Sequence, residues 1–229
     1  MSFFLEFVRS PATVGAFAAS GSALADVVTA VVPRVGSPLV VEVGPGTGAF
    51  TEAIQRRLPA GSRHIAVEAN ARFADRLAGL QPAVEVINAD ASTLGSLLAQ
   101  RGIGPADVVV SGLPWAVFTR QQQQDILTEL IVAMAPDGVF TTFAYVHARL
   151  LRPARRLLES LRSRFDEVVI GRTVWANLPP ALVYYCRRPY SGLEPAGLPG
   201  SAGAGLPGSA QAGQETLGSP GEQVSAAVG

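Results

Sequence analysis

No lysine occurs anywhere in the 229 residues, so all 18 basic side chains are arginines. They are matched by 18 acids, and the formal net charge is zero. That balance offers no general electrostatic case for a nucleic-acid partner. There is one cysteine, Cys186, which excludes an intramolecular disulfide and a cysteine-rich zinc site. Two histidines, His64 and His147, are too few for a metal site built on imidazoles, and no metal is expected. No apolar run reaches the ~20 residues that a membrane-spanning helix needs. The opening MSFFLEFVRS is apolar but lacks the basic start and the cleavage site of a signal peptide. The expected location is therefore the cytoplasm.

What is present is enough apolar sequence, 48%, for one domain with a real core. From about Gly192 the composition changes, and GLPGSA occurs at 197–202 and again at 205–210. Such a segment buries too little apolar surface to offset its ordering entropy, so 190–229 is expected to be a disordered tail. Residues 1–189 form the expected domain, with 1–30 as an N-terminal helical cap.

Strand-like and helix-like stretches alternate within that domain. Strands are expected at 39–44, 64–67, 84–88, 107–111 and 138–145, and helices at 49–58, 70–80, 121–134 and 148–165. Two final strands, 167–175 and 182–187, have no helix between them. The alternation predicts an α/β fold, Rossmann-like, with a mostly parallel seven-stranded sheet and a C-terminal antiparallel hairpin.

Residues 40–51 read VVEVGPGTGAFT. A strand runs into Gly44, Gly46 and Gly48, and a helix follows. Glycines let a backbone approach a ligand closely, and the helix start offers unsatisfied N–H groups. The bland alternative is a tight strand-to-helix turn. The spacing is G-x-G-x-G with Glu42 two residues ahead, rather than the G-x-G-x-x-G of dinucleotide sites. Glu68 ends the second strand and Asp90 follows the third, which sets three acids along one edge of the sheet. Either of the latter two alone is also a plausible helix cap.

This ordered set resembles the first motifs of class I methyltransferases that use S-adenosylmethionine. The resemblance implies that Glu42, Gly44, Gly46 and Gly48 hold the methionine part and that Glu68 accepts the ribose hydroxyls. It also implies that Asp90, with Ala91 beside it, meets the adenine. NAD is the competing cofactor.

The fourth strand ends in Ser111-Gly112-Leu113-Pro114-Trp115. Amine methyltransferases of this fold carry a similar proline turn beside the transferable methyl group. Proline stiffens the turn, and the carbonyls of Gly112 and Leu113 can accept N–H groups of a substrate amine held in line for attack. Ser111 is assigned to the cofactor side, and Trp115 to stacking on a flat base or against a cation. A plain loop with a buried Trp is the alternative.

Two related families share the layout. The ribosomal RNA adenine dimethyltransferases carry N-[LI]-P-[YF] here, and this chain departs from them at Ser111 and Trp115. The bacterial phospholipid N-methyltransferases are more similar. Their likeness runs through the SGLP turn, FVRSPATVGAFAASGSALA at 7–25, Tyr145 after the fifth strand, and NLPPA at 177–181. The resemblance implies stepwise methylation of phosphatidylethanolamine, with Tyr145 orienting the nitrogen or relaying its proton and His147 as a weaker candidate base. An RNA adenine methyltransferase, a soluble small-molecule N-methyltransferase and a non-catalytic S-adenosylmethionine-binding protein are the other readings. Nucleic acid is disfavoured as a partner, and the oligomeric state is open.

A lipid substrate requires access to a membrane, as a peripheral protein on the inner face. Phe3, Phe4, Leu5, Phe7 and Val8 could enter the interface while Arg9 meets phosphate. The stretch 148–164 adds Arg149, Arg152, Arg155, Arg156, Arg162 and Arg164, as a solvated basic face or as a contact for phosphate.

Overall fold

A computed structural model describes residues 21–190. The N-terminal segment 1–20 and the expected tail from 191 onward lie outside the described residues. A short helix α1 (Ser22–Val28) leads into β1 (Leu39–Val43), α2 (Ala49–Gln55), β2 (Arg63–Glu68) and α3 (Ala71–Leu80). Then come β3 (Glu85–Asn88), α4 (Leu94–Gln100), β4 (Ala106–Ser111), α5 (Arg120–Val132) and β5 (Met134–Tyr145). Helix α6 (Arg152–Arg164), β6 (Phe165–Ile170) and β7 (Ala181–Pro189) complete the described fold.

The seven strands form one sheet in the order β3-β2-β1-β4-β5-β7-β6. Strands β1 to β5 run parallel, and β7 lies antiparallel between β5 and β6. The expected mixed sheet and C-terminal hairpin are both present. From β1 the chain winds outward through β2 and β3, then returns to add β4 on the other side. The order therefore reverses between β1 and β4, where open α/β sheets place their ligands.

The valine-rich strands have no polar face because helices cover both sides. Val40, Val108 and Val110 pack on one side with Leu24, Phe50 and Ile54. Val41, Val43 and Val109 pack on the other with Leu94, Leu127 and Leu157. Neighbours in sequence face opposite layers, as the pleat requires.

The helix boundaries follow local chemistry. Asn70 starts α3 by accepting from the N–H of Arg72 at 3.0 Å and of Phe73 at 3.4 Å. Thr119 and Gln122 form a reciprocal capping box on α5. Pro153 stands in the first turn of α6, so that helix starts at Arg152 rather than at 148. The 146–148 stretch is a 3-10 turn.

Two further differences have clear causes. Helix α4 was not anticipated, since its seven residues include Gly95 and carry little periodic signal. Its Gly95 is set by tight packing, because a Cβ there would approach Val132 Cγ1 to 2.8 Å. Strand β6 stops at Ile170 instead of reaching Trp175, and the chain turns outward from Gly171 to Pro180 before β7.

Candidate functional site

The site grows from the carboxyl ends of β1 and β4. Gly44 continues the ladder by donating its N–H to the Val67 carbonyl at 2.9 Å. Gly44, Gly46 and Gly48 all have positive φ, at 69°, 54° and 92°, a region that side chains with a Cβ strongly disfavour. Gly48 closes the loop with a 2.9 Å bond to the Pro45 carbonyl and begins α2. A Cβ on Gly46 would meet nothing within 4 Å among the described residues.

Glu42 is fully buried on β1. Its Oε2 accepts from Thr51 Oγ1 at 2.8 Å and lies 3.3 Å from His64 Nε2. The far side of the imidazole is tied down, with His64 Nδ1 2.9 Å from Gln55 Nε2. Glu42 Oε1 is buried and has no hydrogen-bond partner among the described residues. A buried carboxylate oxygen without a donor is costly and calls for a ligand, a water or a proton. The positions Thr51, Gln55 and His64 were not anticipated. Their signal was only that polar residues interrupt apolar stretches.

Glu68 is also buried. Its Oε2 accepts the Gly46 N–H at 3.2 Å and its Oε1 accepts the Asn70 N–H at 2.8 Å. Burial pushes this carboxyl above the ordinary glutamate value, the N–H groups of Asn70 and Gly46 oppose that shift, and the negative charge of Glu42 adds to it. Glu68 thus braces the glycine loop from the second strand. Asp90 plays the capping part: its Oδ1 accepts from the Ser92 N–H at 2.9 Å and the Ser92 hydroxyl at 2.8 Å. Ala91 begins the single turn that Asp90 caps, and it is buried.

The SGLPW turn is locked to the glycine loop. Gly112 donates its N–H to the Val43 carbonyl at 2.9 Å. A Cβ on Gly112 would collide with the Gly44 carbonyl oxygen, so only glycine lets the two backbones pass. The next side chain completes the contact, since Leu113 Cδ2 lies 2.8 Å from where a Cβ on Gly44 would stand.

The polar groups of this turn are largely taken up by one another. Ser111 does not present its hydroxyl outward: it is fully buried, and its Oγ accepts from Leu113 N–H at 3.3 Å and Trp115 Nε1 at 3.1 Å. Trp115 is not an open stacking platform. It is 3% exposed, its Nε1 also donates to Thr142 Oγ1 at 2.9 Å, and Phe118 and Phe140 meet its ring edge to face. A large indole with its one donor satisfied is best held in a core. The Leu113 carbonyl already accepts the Trp115 N–H at 3.0 Å. Among the described residues, the Gly112 carbonyl alone of the two has no donor.

An apolar cavity opens beside the turn, walled by Leu113, Pro114, Trp115, Phe143, Tyr145 and Leu157. Tyr145 caps the end of β5, packs edge to face on Phe143 with centroids 5.5 Å apart, and is largely buried. Burial raises its phenol pKa. His147 stacks on Tyr145 at 5.6 Å from the exposed side. The fold brings Glu42, the glycine loop, Glu68, Gly112 and Leu113 together at one edge, with Tyr145 in the wall of the adjoining cavity.

These features fit S-adenosylmethionine. Gly46 meets no described residue within 4 Å of a Cβ position, Glu42 has a buried oxygen without a donor among the described residues, and Glu68 sets a carboxylate behind the loop, the kind of acceptor that a ribose diol requires. No group of three or more potential metal ligands occurs among the described residues.

Comparison with known proteins agrees. No family model matches the chain. The chain is 33% identical over 195 residues to the ornithine lipid N-methyltransferase of Singulisphaera acidiphila, spanning 81% of this chain and 95% of that protein. It is 40% identical over 85 residues to the ribosomal RNA small subunit methyltransferase A of Caulobacter vibrioides, but that match spans 35% of this chain and 31% of that protein. The O-methyltransferase TomG of Streptomyces achromogenes, solved with S-adenosylmethionine, superposes with a TM-score of 0.53 at 18% identity, over 72% of this chain and 79% of that one. The chain belongs to the class I S-adenosylmethionine-dependent methyltransferases.

Proposed function

We propose that this enzyme N-methylates the primary amine of a membrane phospholipid of the phosphatidylethanolamine type. The observation that carries the reading is the apolar cavity lined by Leu113 and Tyr145 at the SGLPW turn, one residue on from the Gly112 carbonyl, which has no donor among the described residues. The long match to a lipid N-methyltransferase supports it.

Bound S-adenosylmethionine supplies an electrophilic methyl group. The chain's own task is to prepare the amine. A lipid amine is an ammonium in water, with a pKa near that of lysine, about 10. The cavity wall of Leu113, Phe143 and Leu157 withdraws it from water, which lowers that pKa and favours the neutral nucleophile. The Gly112 carbonyl accepts one amine N–H, and this fixes the direction of the lone pair. Tyr145 holds the nitrogen from the cavity wall, and its aromatic ring tolerates the methylated cation that results. The buried Ser111–Trp115–Thr142 bonds keep the turn rigid while this happens. Glu42, Glu68 and the glycine loop hold the cofactor, with Asp90 and Ala91 at its adenine end.

The test uses S-adenosylmethionine labelled in its methyl group. The protein is incubated with phosphatidylethanolamine vesicles, with ornithine lipid vesicles, and with unmethylated ribosomal RNA. Label in phosphatidylethanolamine is the expected result. Label in ornithine lipid alone moves the substrate to the one named for the Singulisphaera relative. Label in RNA alone overturns the lipid reading.

A further inference from the structure

We infer that the turn at 146–151 and the loop at 171–178 form a single docking surface for an anionic lipid bilayer. The inference rests on the lipid reading above and adds the face by which the enzyme reaches its substrate. Four large apolar side chains here stand in solvent: Leu150 at 75%, Leu151 at 53%, Trp175 at 74% and Leu178 at 83% exposure. Scattered exposed apolar residues, such as Leu80 and Val132 on separate helices, are ordinary. Four in two adjacent turns are not.

The sheet brings the two turns together. Tyr145 pairs with Ala181 at the end of β5, and Val174 bridges to Ala181 from the other side. The Val146 N–H then donates to the Pro180 carbonyl at 2.9 Å. Both turns therefore leave the same sheet end as Tyr145, beside the apolar cavity. A lipid lifted a short way out of a bilayer at this face would arrive at the cavity mouth.

Charge selects a bilayer over another apolar surface. Residues 146–156 and 171–178 present Arg149, Arg152, Arg155 and Arg172 to solvent and contain no Asp or Glu, with Arg156 half-buried. Tryptophan and leucine enter the interfacial layer while arginine keeps its head among phosphates. Gly21, the first described residue, is tied to the same loop, where it donates its N–H to Asn177 Oδ1 at 2.9 Å.

Trp175 reports on the face directly, since the other tryptophan, Trp115, is buried. The full-length protein is titrated with phosphatidylglycerol–phosphatidylethanolamine vesicles and, separately, with phosphatidylcholine vesicles. Trp175 emission should shift to the blue with the anionic vesicles, less so in high salt, and the shift should vanish in Trp175→Phe. The combined Leu150→Ser, Leu151→Ser and Leu178→Ser variant should lose about tenfold or more in vesicle affinity, as expected when buried interfacial area is removed. Its melting temperature should hold, and so should its methylation of a water-soluble short-chain phosphatidylethanolamine.

Unchanged Trp175 emission on vesicles overturns the inference. So does emission that is already blue and shielded from acrylamide without vesicles, which would mean the chain or a second copy covers the face. Vesicle affinity unaltered in the triple variant overturns it as well. The two readings separate cleanly: vesicle docking without lipid methylation defeats the substrate assignment alone, and methylation with an insensitive Trp175 defeats the docking face alone.

Discussion

The Gly112 N–H donates to the Val43 carbonyl at 2.9 Å, and through this bond the SGLPW turn and the glycine loop become one structural unit. The two loops are thus joined by a backbone bond, with the Leu113 side chain packed against Gly44. A disturbance of either loop is transmitted to the other without passing through a flexible side chain.

Gly112→Ala should therefore damage both functions. Its methyl would press on the Gly44 carbonyl, backbone against backbone, with a cost of about 1–3 kcal/mol. For a domain of this size that corresponds to a fall in melting temperature of roughly 2–4 °C per kcal/mol. Thermal unfolding and cofactor titration should both report the loss. A stable variant with full cofactor affinity would show that the two loops are not coupled in this way.

Ser111→Ala removes the acceptor shared by Leu113 N–H and Trp115 Nε1. The indole keeps Thr142, so the loss should be about 1–3 kcal/mol, the cost of one buried donor left unpaired. Denaturant unfolding of Ser111→Ala, Thr142→Val and the double variant should give a non-additive cycle. Additive losses would refute a shared network. Trp115→Ala would open a core cavity costing about 3–5 kcal/mol, so Trp115→Phe is the better probe of the turn.

Glu68 links stability to pH. Its pKa in the fold lies above the ordinary value of 4.5, chiefly through burial. The folded chain then binds a proton more tightly than the unfolded chain does. The site's stabilising contribution is complete below about pH 4.5 and is lost as pH rises through the raised value. Glu68→Gln lacks this ionisation. Chemical denaturation across that window should show the variant gaining on the wild type as pH rises. Cofactor affinity of the variant should fall at every pH.

If the proposed function holds, Tyr145→Phe should lower turnover on the lipid amine while leaving cofactor affinity unchanged, because Tyr145 lines the apolar cavity and not the glycine loop. Burial raises its pKa above the usual 10.0, so the phenol stays protonated at neutral pH. The wild-type rate profile should contain no step from this group below about pH 10. Equal loss of turnover and cofactor binding would remove Tyr145 from the acceptor site.

His64→Leu should destabilise the fold by leaving the buried Glu42 carboxylate with only the Thr51 hydroxyl. A loss of about 1–3 kcal/mol is the scale for a buried polar group that loses a neighbouring partner. Restoring the wild-type stability by the further change Glu42→Gln would identify the stranded carboxyl as the cause.

Much of this enzyme was legible in its linear order. The strand-helix alternation placed a mostly parallel sheet, the lone antiparallel ending followed from two strands with no helix between them, and the G-x-G-x-G loop and its acids fell in sequence at strand ends. These are local signals, since periodicity and turn chemistry are written in neighbouring residues. Contacts between distant segments are not written there. Nothing near Ser111 announces that its hydroxyl would serve Trp115, because the decisive partner, Thr142, lies 31 residues on in another strand. Nothing in HIAVE announces that His64 would stand against Glu42. The type of each residue was set by the sequence, but whether a polar group faces a ligand or a core partner depends on which strands become neighbours. Burial then decides, since a polar group withdrawn from water must find its partner inside the protein.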